Sequence, residues 1–131
     1  MRPGILVNID VPELARAIEF YEAAVGAKVV RLLDDDVAEL SYESSTLCLL
    51  AKPNGSLATP TGRRRELDRH WTPVHVDFVV DDIESAVERA LAAGAKRESD
   101  CIEWRGSKCV SFCDPFGHGF CLIEFTGDGY E

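Results

Sequence analysis

The sequence has little positive charge. It contains 14 lysine and arginine residues against 23 aspartate and glutamate residues, which gives a net charge of -9 at pH 7. A nucleic-acid partner needs a basic face on the protein, so this balance argues against one. The acidic surface is compatible with a cationic ligand, although solubility alone explains such a surface equally well.

The sequence also lacks the features of exported and membrane proteins. No run approaches the roughly 18 apolar residues that span a membrane, and residues 1–4 begin without the layout of a signal peptide. The five cysteines are odd in number and contain no Cys-x-x-Cys pair. Together these absences predict reduced thiols in a cytoplasmic protein with no membrane partner.

With 131 residues, the chain is long enough to bury one core, and we expect a single domain over residues 1–131. Period-2 alternation predicts strands, and apolar residues at helical spacing predict helices. The predicted strands are 5–11, 28–33, 37–43, 46–51, 74–80, 96–99, 102–104, 109–113 and 119–125, and the predicted helices are 12–25 and 83–93.

The second half of the chain repeats the first. Leu6-Val7-Asn8-Ile9 aligns with His75-Val76-Asp77-Phe78, and Gly26-Ala27-Lys28 recurs as Gly94-Ala95-Lys96. Repeats of this kind outrank local assignments. The sequence therefore predicts an α+β fold of two tandem βαβββ modules, at about 4–52 and 73–126, joined by a connector at 53–72.

The connector is rich in proline and glycine and contains three consecutive arginines, Arg63 to Arg65. This composition is typical of a loop, with one helical turn expected at 66–70. The arginines are interpreted either as a solvated surface or as a mobile flap that reaches an anionic ligand or an acidic partner.

One predicted strand carries polar side chains on a face that needs an explanation. Residues 73–83 alternate, with one apolar row and a second row that contains His75, Asp77 and Val79. The second row is either a solvated face or the wall of a pocket. In the same way, His75 is either a histidine hydrogen-bonded to a neighbour in the wall or a functional group.

The first strand offers two further polar side chains, Asn8 and Asp10, on the face expected to match that of His75 and Asp77. Buried carboxylates are costly unless they are paired, so their convergence implies a ligand, a hydrogen-bond network or water. A His75–Asp77 pair would also serve as a general base, with the carboxylate orienting the ring.

Three segments, Asp10–Tyr21, His75–Ile83 and Asp114–Glu124, resemble the vicinal oxygen chelate superfamily. This superfamily includes glyoxalase I, extradiol dioxygenases, and the fosfomycin- and bleomycin-resistance proteins. The resemblance covers residues 4–126. It implies that the paired modules form an incomplete barrel whose cup holds a ligand, and that the protein is a homodimer.

In metal-dependent members of the superfamily, the ligands come from the first and last strands of each module. Carried onto this chain, the positions are Leu6, Cys48, His75 and Cys121, where His or Glu is expected. Only His75 matches, so a site for a hard cation is lost and the metal-bound glutamate base of glyoxalase I is missing. We expect no cofactor. The alternative is zinc or another soft divalent metal on Cys48, His75 and Cys121, although cysteines at such positions are also common core residues.

Two functions stay open. The first is a metal-free binding protein of the bleomycin-resistance kind, which sequesters a small and cationic molecule. The second is a glyoxalase-like lyase or isomerase, or a dioxygenase-type enzyme, that uses His75 and Asp77 or an atypical Cys/His metal site. The net charge and the absent metal set favour the binding protein.

The remaining candidates are aromatic residues and cysteines. Aromatic side chains at the mouth of the cup would stack on a flat or cationic ligand, with internal packing as the alternative. The aromatic candidates are Trp71, Trp104, Tyr42 and Phe112, and the other candidate ligand-binding residues are Asn8, Asp10, Cys48 and Cys121. We expect turn chemistry for His118 and a structural role for Glu124, and no partner is identified for Cys101, Cys109 or Cys113.

Overall fold

The computed structural model describes residues 3–131. Met1 and Arg2, which belong to the segment predicted to lack the layout of a signal peptide, lie outside the described residues. The chain forms two compact units, one that extends up to Leu67 and one that covers Asp68–Glu131. The boundary lies inside the predicted connector at 53–72.

The first unit contains one helix and a four-stranded sheet. The sheet order is β1-β4-β3-β2, with β1 parallel to β4 and the other neighbours antiparallel. The elements are β1 (Leu6–Val11), α1 (Leu14–Val25), β2 (Lys28–Leu33), β3 (Val37–Tyr42) and β4 (Ser45–Ala51).

The second unit repeats this topology. Its sheet order is β5-β9-β8-β6, and the short strand β7 also pairs with β8. The elements are β5 (Val76–Val79), α2 (Ile83–Ala92), β6 (Lys96–Arg97), β7 (Ile102–Trp104), β8 (Ser107–Cys113) and β9 (Gly119–Phe125). In both units the first strand pairs with the last strand, so the prediction of an α+β fold of two βαβββ modules is confirmed.

The two helices begin differently. Helix α1 starts two residues later than predicted, because Glu13 keeps an extended backbone and its side chain forms no cap. Helix α2 has a side-chain cap, since Asp82 accepts a hydrogen bond from the backbone N–H of Glu84 at 3.2 Å. The side chain of Glu124 accepts a second one from the backbone N–H of Ile83 at 2.9 Å, which supports the structural role expected for Glu124. Among the described residues, neither helix is long and apolar enough to cross a membrane.

One face of each sheet packs against the helix of its unit and forms the core. In the first unit this face contains Leu40 and Leu49, which are fully buried. In the second unit the ring of Phe120 stacks on Phe112 at 5.6 Å and meets the edge of Phe78 at 5.8 Å. Burial of these side chains is the main stabilising contribution to each unit.

Two of the four aromatic candidates follow the internal-packing alternative. Phe112 is 0% exposed and belongs to the core of the second unit. Tyr42 alternates with Leu40 along β3, so it shares the face that packs against the helix.

In the connector, the helical turn predicted at 66–70 does not form. Arg63 and Arg64 are exposed, as expected for a solvated surface. Two of the three arginines make defined contacts: Arg65 binds Asp10 at 2.7 Å, and Arg64 donates to the carbonyl of Gly55 at 2.9 Å. Both contacts tie the loop to its own unit.

Candidate functional site

The second sheet has one face that α2 covers and one that it does not. Asp77 pairs with Cys121 across β5 and β9, and Cys121 pairs with Ser111 across β9 and β8. Paired residues on neighbouring strands point to the same face, and the alternate positions, such as Val110 beside α2, point to the other. Asp77, Cys121 and Ser111 therefore form a polar row on what we call the helix-free face of the second sheet.

Three side chains of this face bring unlike donor atoms together. His75 Nε2 lies 3.0 Å from Asp77 Oδ1. One ring nitrogen of His75, one carboxylate oxygen of Asp77 and the sulfur of Cys121 all lie within 4.8 Å of one another. We call His75, Asp77 and Cys121 the donor cluster. The side chains of His75 and Asp77 are 55% and 33% exposed, and Cys121 is half-buried.

The thiols of Cys121, in the donor cluster, and of its neighbour Cys109 are held in the protonated state. Burial raises the pKa of Cys121, and Asp77 reinforces the effect, while a 3.4 Å hydrogen bond between the sulfur and Ser111 Oγ opposes it. Burial and the neighbouring Cys121 raise the pKa of Cys109 to about 12. A reactive cysteine needs a lowered pKa, so a redox role for these two thiols is disfavoured.

The helix-free face also has an apolar part, formed by β7. Ile102 is paired with Cys109, and Trp104 lies two residues further along the same strand, so both share the face of Cys121. They are 58% and 60% exposed. The Trp104 ring meets the edge of Tyr130 at 5.2 Å, and the guanidinium of Arg105 lies 5.6 Å from the ring centroid. The other predicted tryptophan, Trp71, is 80% exposed.

A charged pair that the sequence did not indicate lies at the end of β9. Arg69 forms a two-pronged ion pair with Glu98, at 2.8 and 2.9 Å. Hydrogen bonding to Arg69 lowers the pKa of Glu98. A Cβ atom at Gly119 would lie 2.6 Å from Arg69 Nη2, so the guanidinium rests directly on this glycine. Because Gly119 alternates with Cys121, Arg69 lies on the helix-free face.

The first unit carries the other predicted site residues in a different chemical setting. Cys48 pairs with Asn8 on one side and with Glu39 on the other. Glu39 is bound by Arg31 at 3.0 Å, and Asp10 is bound by Arg65 at 2.7 Å. The carboxylates of this face are therefore neutralised by arginines of their own unit. Burial and Glu39 raise the pKa of Cys48.

The structure brings together His75, Asp77 and Cys121, and puts Asn8, Asp10 and Cys48 in the first unit. Sequence reasoning missed Ser111, Cys109 and Arg69. The first two could have been found, because they alternate along a predicted strand next to that of Cys121. Arg69 could not, because its position on Gly119 depends on the path of a loop. The turn role of His118 is supported, since its backbone N–H donates to Asp114 Oδ1 at 2.9 Å.

The donor cluster can be tested against the metals that the superfamily uses. A hard ion such as Mg²⁺ requires several oxygen ligands, and the cluster offers a single carboxylate. Cys121 stands where the family pattern has a carboxylate, so a site of that type does not fit these residues. Nitrogen, oxygen and sulfur donors together suit a softer ion, and zinc accepts all three.

Comparisons with known proteins agree with the topology. A family model described as a glyoxalase-like domain matches residues 6–123. A comparison of the sequence with curated proteins gives no match.

Solved structures with the same fold cover nearly the whole chain. The fosfomycin resistance protein FosX from Listeria monocytogenes matches with a TM-score of 0.71 and 19% identity over 96% of both chains. A glyoxalase/bleomycin resistance protein/dioxygenase from Alicyclobacillus acidocaldarius gives 0.67 and 16% over 97% of this chain and 94% of the other.

The third such structure is a lactoylglutathione lyase from Agrobacterium tumefaciens. It gives a TM-score of 0.65 and 19% identity over 95% of this chain and 94% of the other. Identities this low establish the fold and not the activity. With the family match over residues 6–123, the chain belongs to the glyoxalase-like domain family of the vicinal oxygen chelate superfamily.

Proposed function

We propose that the protein binds a small molecule on the helix-free face of the second sheet, in contact with the donor cluster and Trp104. The observation that carries this proposal is the convergence of His75, Asp77 and Cys121, whose donor atoms lie within 4.8 Å of one another. A face that is only solvated has no need for three unlike polar groups in contact, beside half-buried thiols.

The chemistry of the face favours a ligand with a cationic group. The carboxylate of Asp77 is one-third exposed and has a histidine, not an arginine, as its partner. Neutral imidazole leaves the negative charge of Asp77 available to a ligand. The exposed ring of Trp104, on the same face, offers a flat surface for the body of such a molecule. The net charge of -9 would also attract a cation over a distance.

A thermal-shift screen tests this proposal with cationic antibiotics, aldehyde–thiol adducts and divalent metals, each added alone. We expect a cationic compound to raise the Tm of the wild-type protein, because a ligand that binds only the folded state stabilises it. The Asp77→Asn variant should lose this shift.

Cys121→Ala is a second test variant, and Cys48→Ala is its matched control, because the two cysteines occupy equivalent strand positions in the two units. Only the substitution at Cys121 should weaken binding. A shift that survives in Asp77→Asn, or a panel in which no cationic compound raises the Tm, contradicts the proposal.

A second candidate function is favoured by the 3.0 Å contact between His75 Nε2 and Asp77 Oδ1. A carboxylate that orients an imidazole is the arrangement of a general base, which in a glyoxalase-like lyase or isomerase removes a proton from carbon. Turnover of aldehyde–thiol adducts by the wild type, reduced about 10²- to 10⁴-fold in His75→Ala, would establish it. Equal rates in the two proteins would eliminate it.

The predicted homodimer and cytoplasmic location remain predictions. Sedimentation velocity over a range of protein concentrations tests the first. The bleomycin-resistance mode of binding that the resemblance implies depends on a dimer cleft, so a monomer at all concentrations would restrict the ligand to a single chain.

A further inference from the structure

The donor cluster differs from the metal set that the superfamily pattern implies. That set takes ligands from both modules, which would be Cys48, His75 and Cys121 in this chain. The donor cluster contains Asp77 in place of Cys48, so all three of its members lie in the second unit. The geometry points to a zinc ion, or a similar soft divalent cation, bound by a nitrogen of His75, a carboxylate oxygen of Asp77 and the sulfur of Cys121.

The distances are close to those of a tetrahedral site. With Zn–N and Zn–O bonds of about 2.0–2.2 Å, the nitrogen and oxygen ligands of one ion lie roughly 3.4 Å apart. His75 Nε2 and Asp77 Oδ1 are already 3.0 Å apart. A Zn–S bond of about 2.3 Å requires the sulfur roughly 3.6 Å from the other donors. The donor atoms now lie within 4.8 Å of one another, so binding requires the sulfur to approach by at most about 1.2 Å, through a change of side-chain torsion.

The existing contact between His75 and Asp77 is also of the right kind. In neutral histidine, one ring nitrogen carries a proton, and at 3.0 Å the Nε2–H group donates to the carboxylate. A zinc ion bound between the same two atoms would take the place of this proton, which would move to Nδ1 by exchange with solvent so that the ring stays neutral. Cys121 binds as the thiolate and releases its proton to solvent.

The strands fix two of the ligands, and a neighbour supports one of these two. Asp77 and Cys121 are direct partners in the β5–β9 register. Ser111 Oγ lies 3.4 Å from the sulfur of Cys121 and can donate to a zinc-bound thiolate, as outer-shell groups commonly do.

The cluster leaves a coordination position open. Three protein ligands are typical of zinc sites that keep the fourth position for water or a ligand. The exposure of His75 and Asp77 puts this position toward solvent. The inference shares its location with the proposed binding function, and Asp77 is used in both. A bound zinc ion takes the carboxylate that a cationic ligand would contact, so the two occupants compete for Asp77.

The test uses the full chain, stripped with a chelator and then titrated with zinc alone or cobalt alone. Bound metal is counted by elemental analysis after desalting, and the cobalt form is examined for the near-ultraviolet band of a cobalt–thiolate bond. We expect one ion per chain and a thiolate band in the wild type. His75→Gln, Asp77→Asn and Cys121→Ser should each weaken zinc binding by about tenfold or more, by analogy with the effect of outer-shell substitutions.

Cys48→Ser is the matched control and should keep both the ion and the band. Loss of the ion in this variant would overturn the inference in favour of a set shared between the modules. Absence of bound zinc in the wild type, or a thiolate band that survives in Cys121→Ser, would also overturn it. Asp77→Asn and His75→Gln change exposed side chains, so circular dichroism should give wild-type spectra for both.

Repeating the thermal-shift screen in chelator separates this inference from the proposed function. A cationic ligand that still binds stripped protein would leave the binding function intact if zinc fails to bind.

Discussion

The helix-free faces of the two units have the same strand order and different chemistry. In both, a cysteine of the last strand pairs with a polar residue of the first strand: Cys48 with Asn8, and Cys121 with Asp77. In the first unit the carboxylates of this face are bound by arginines. In the second unit Arg69 binds Glu98, but Asp77 is bound by His75, whose charge depends on pH and which also binds metals.

The identity of the partner decides whether the negative charge of a carboxylate is compensated. An arginine keeps its charge at every ordinary pH, so its ion pair with a carboxylate persists and offsets the negative charge. A neutral histidine leaves the negative charge of its carboxylate partner uncompensated. Asp10 and Asp77 are equally exposed, at 33%, so the two faces differ in how this carboxylate is compensated and not in how far solvent reaches it.

Removing one buried side chain from the helix-covered face should destabilise the two units to a similar degree. Phe112→Ala in the second unit and Leu40→Ala in the first each remove a fully buried side chain. We expect losses of about 3–5 and 2–5 kcal/mol of unfolding free energy, because each change leaves a cavity. Urea denaturation measures both. A much smaller loss in one unit would mean that its core is already loosely packed.

The ion pair of the first unit should matter more for stability than that of the second. Arg65→Ala leaves Asp10 without its 2.7 Å charged partner, and we expect a loss of about 1–3 kcal/mol. His75→Ala removes a more exposed partner and should lose less than about 1 kcal/mol. The same denaturation experiment tests the pair. Equal losses would argue that His75 is structural.

The chemistry of the second unit should be transferable. Leu6→His together with Asn8→Asp gives the first unit the residues that align with His75 and Asp77, next to Cys48. If the donor cluster binds zinc, this variant should bind a second, weaker ion. Elemental analysis counts the ions. An unchanged count would show that the Arg31–Glu39 pair beside Cys48 also has to be removed.

The second unit should also show a pH dependence of stability at alkaline pH. The pKa of Cys109 rises from 9.0 to about 12 in the folded state, because burial disfavours the thiolate. The unfolded chain therefore loses this proton first as the pH rises. The contribution of Cys109 to stability is complete below pH 9 and is lost between pH 9 and about 12. Denaturation at alkaline pH should show a shallower decline in Cys109→Ala than in the wild type or in Cys48→Ala.

The elements with clear periodicity were predictable. Strands 28–33, 102–104 and 119–125 have the predicted bounds, and the ends of the other strands differ by one or two residues. The start of β5 illustrates such a difference. Val74 was predicted inside the strand, but β5 begins at Val76 and Val74 is 79% exposed. Its alternation with Val76 is real, but no neighbouring strand extends far enough to pair with it.

The site was predictable only as a list of residues. His75, Asp77 and Cys121 were each identified from the sequence, but the expected metal set combined His75 and Cys121 with Cys48. The contact of Asp77 with Cys121 depends on the register of β5 against β9, which two separate stretches of sequence do not specify. For the same reason Arg65 was interpreted as solvated, although it binds Asp10, which is 55 residues away.

The sequence by itself determined the repeat, the order of the elements and the family, because apolar periodicity and turn residues act over a few neighbouring positions. Only the tertiary structure decided which carboxylates are neutralised and which donor atoms meet. Those outcomes depend on distances between residues far apart in the chain, and a strand register or a loop path sets them. In the donor cluster of the second unit the carboxylate of Asp77 therefore has a histidine partner, whereas Asp10 and Glu39 on the matching face of the first unit have arginine partners.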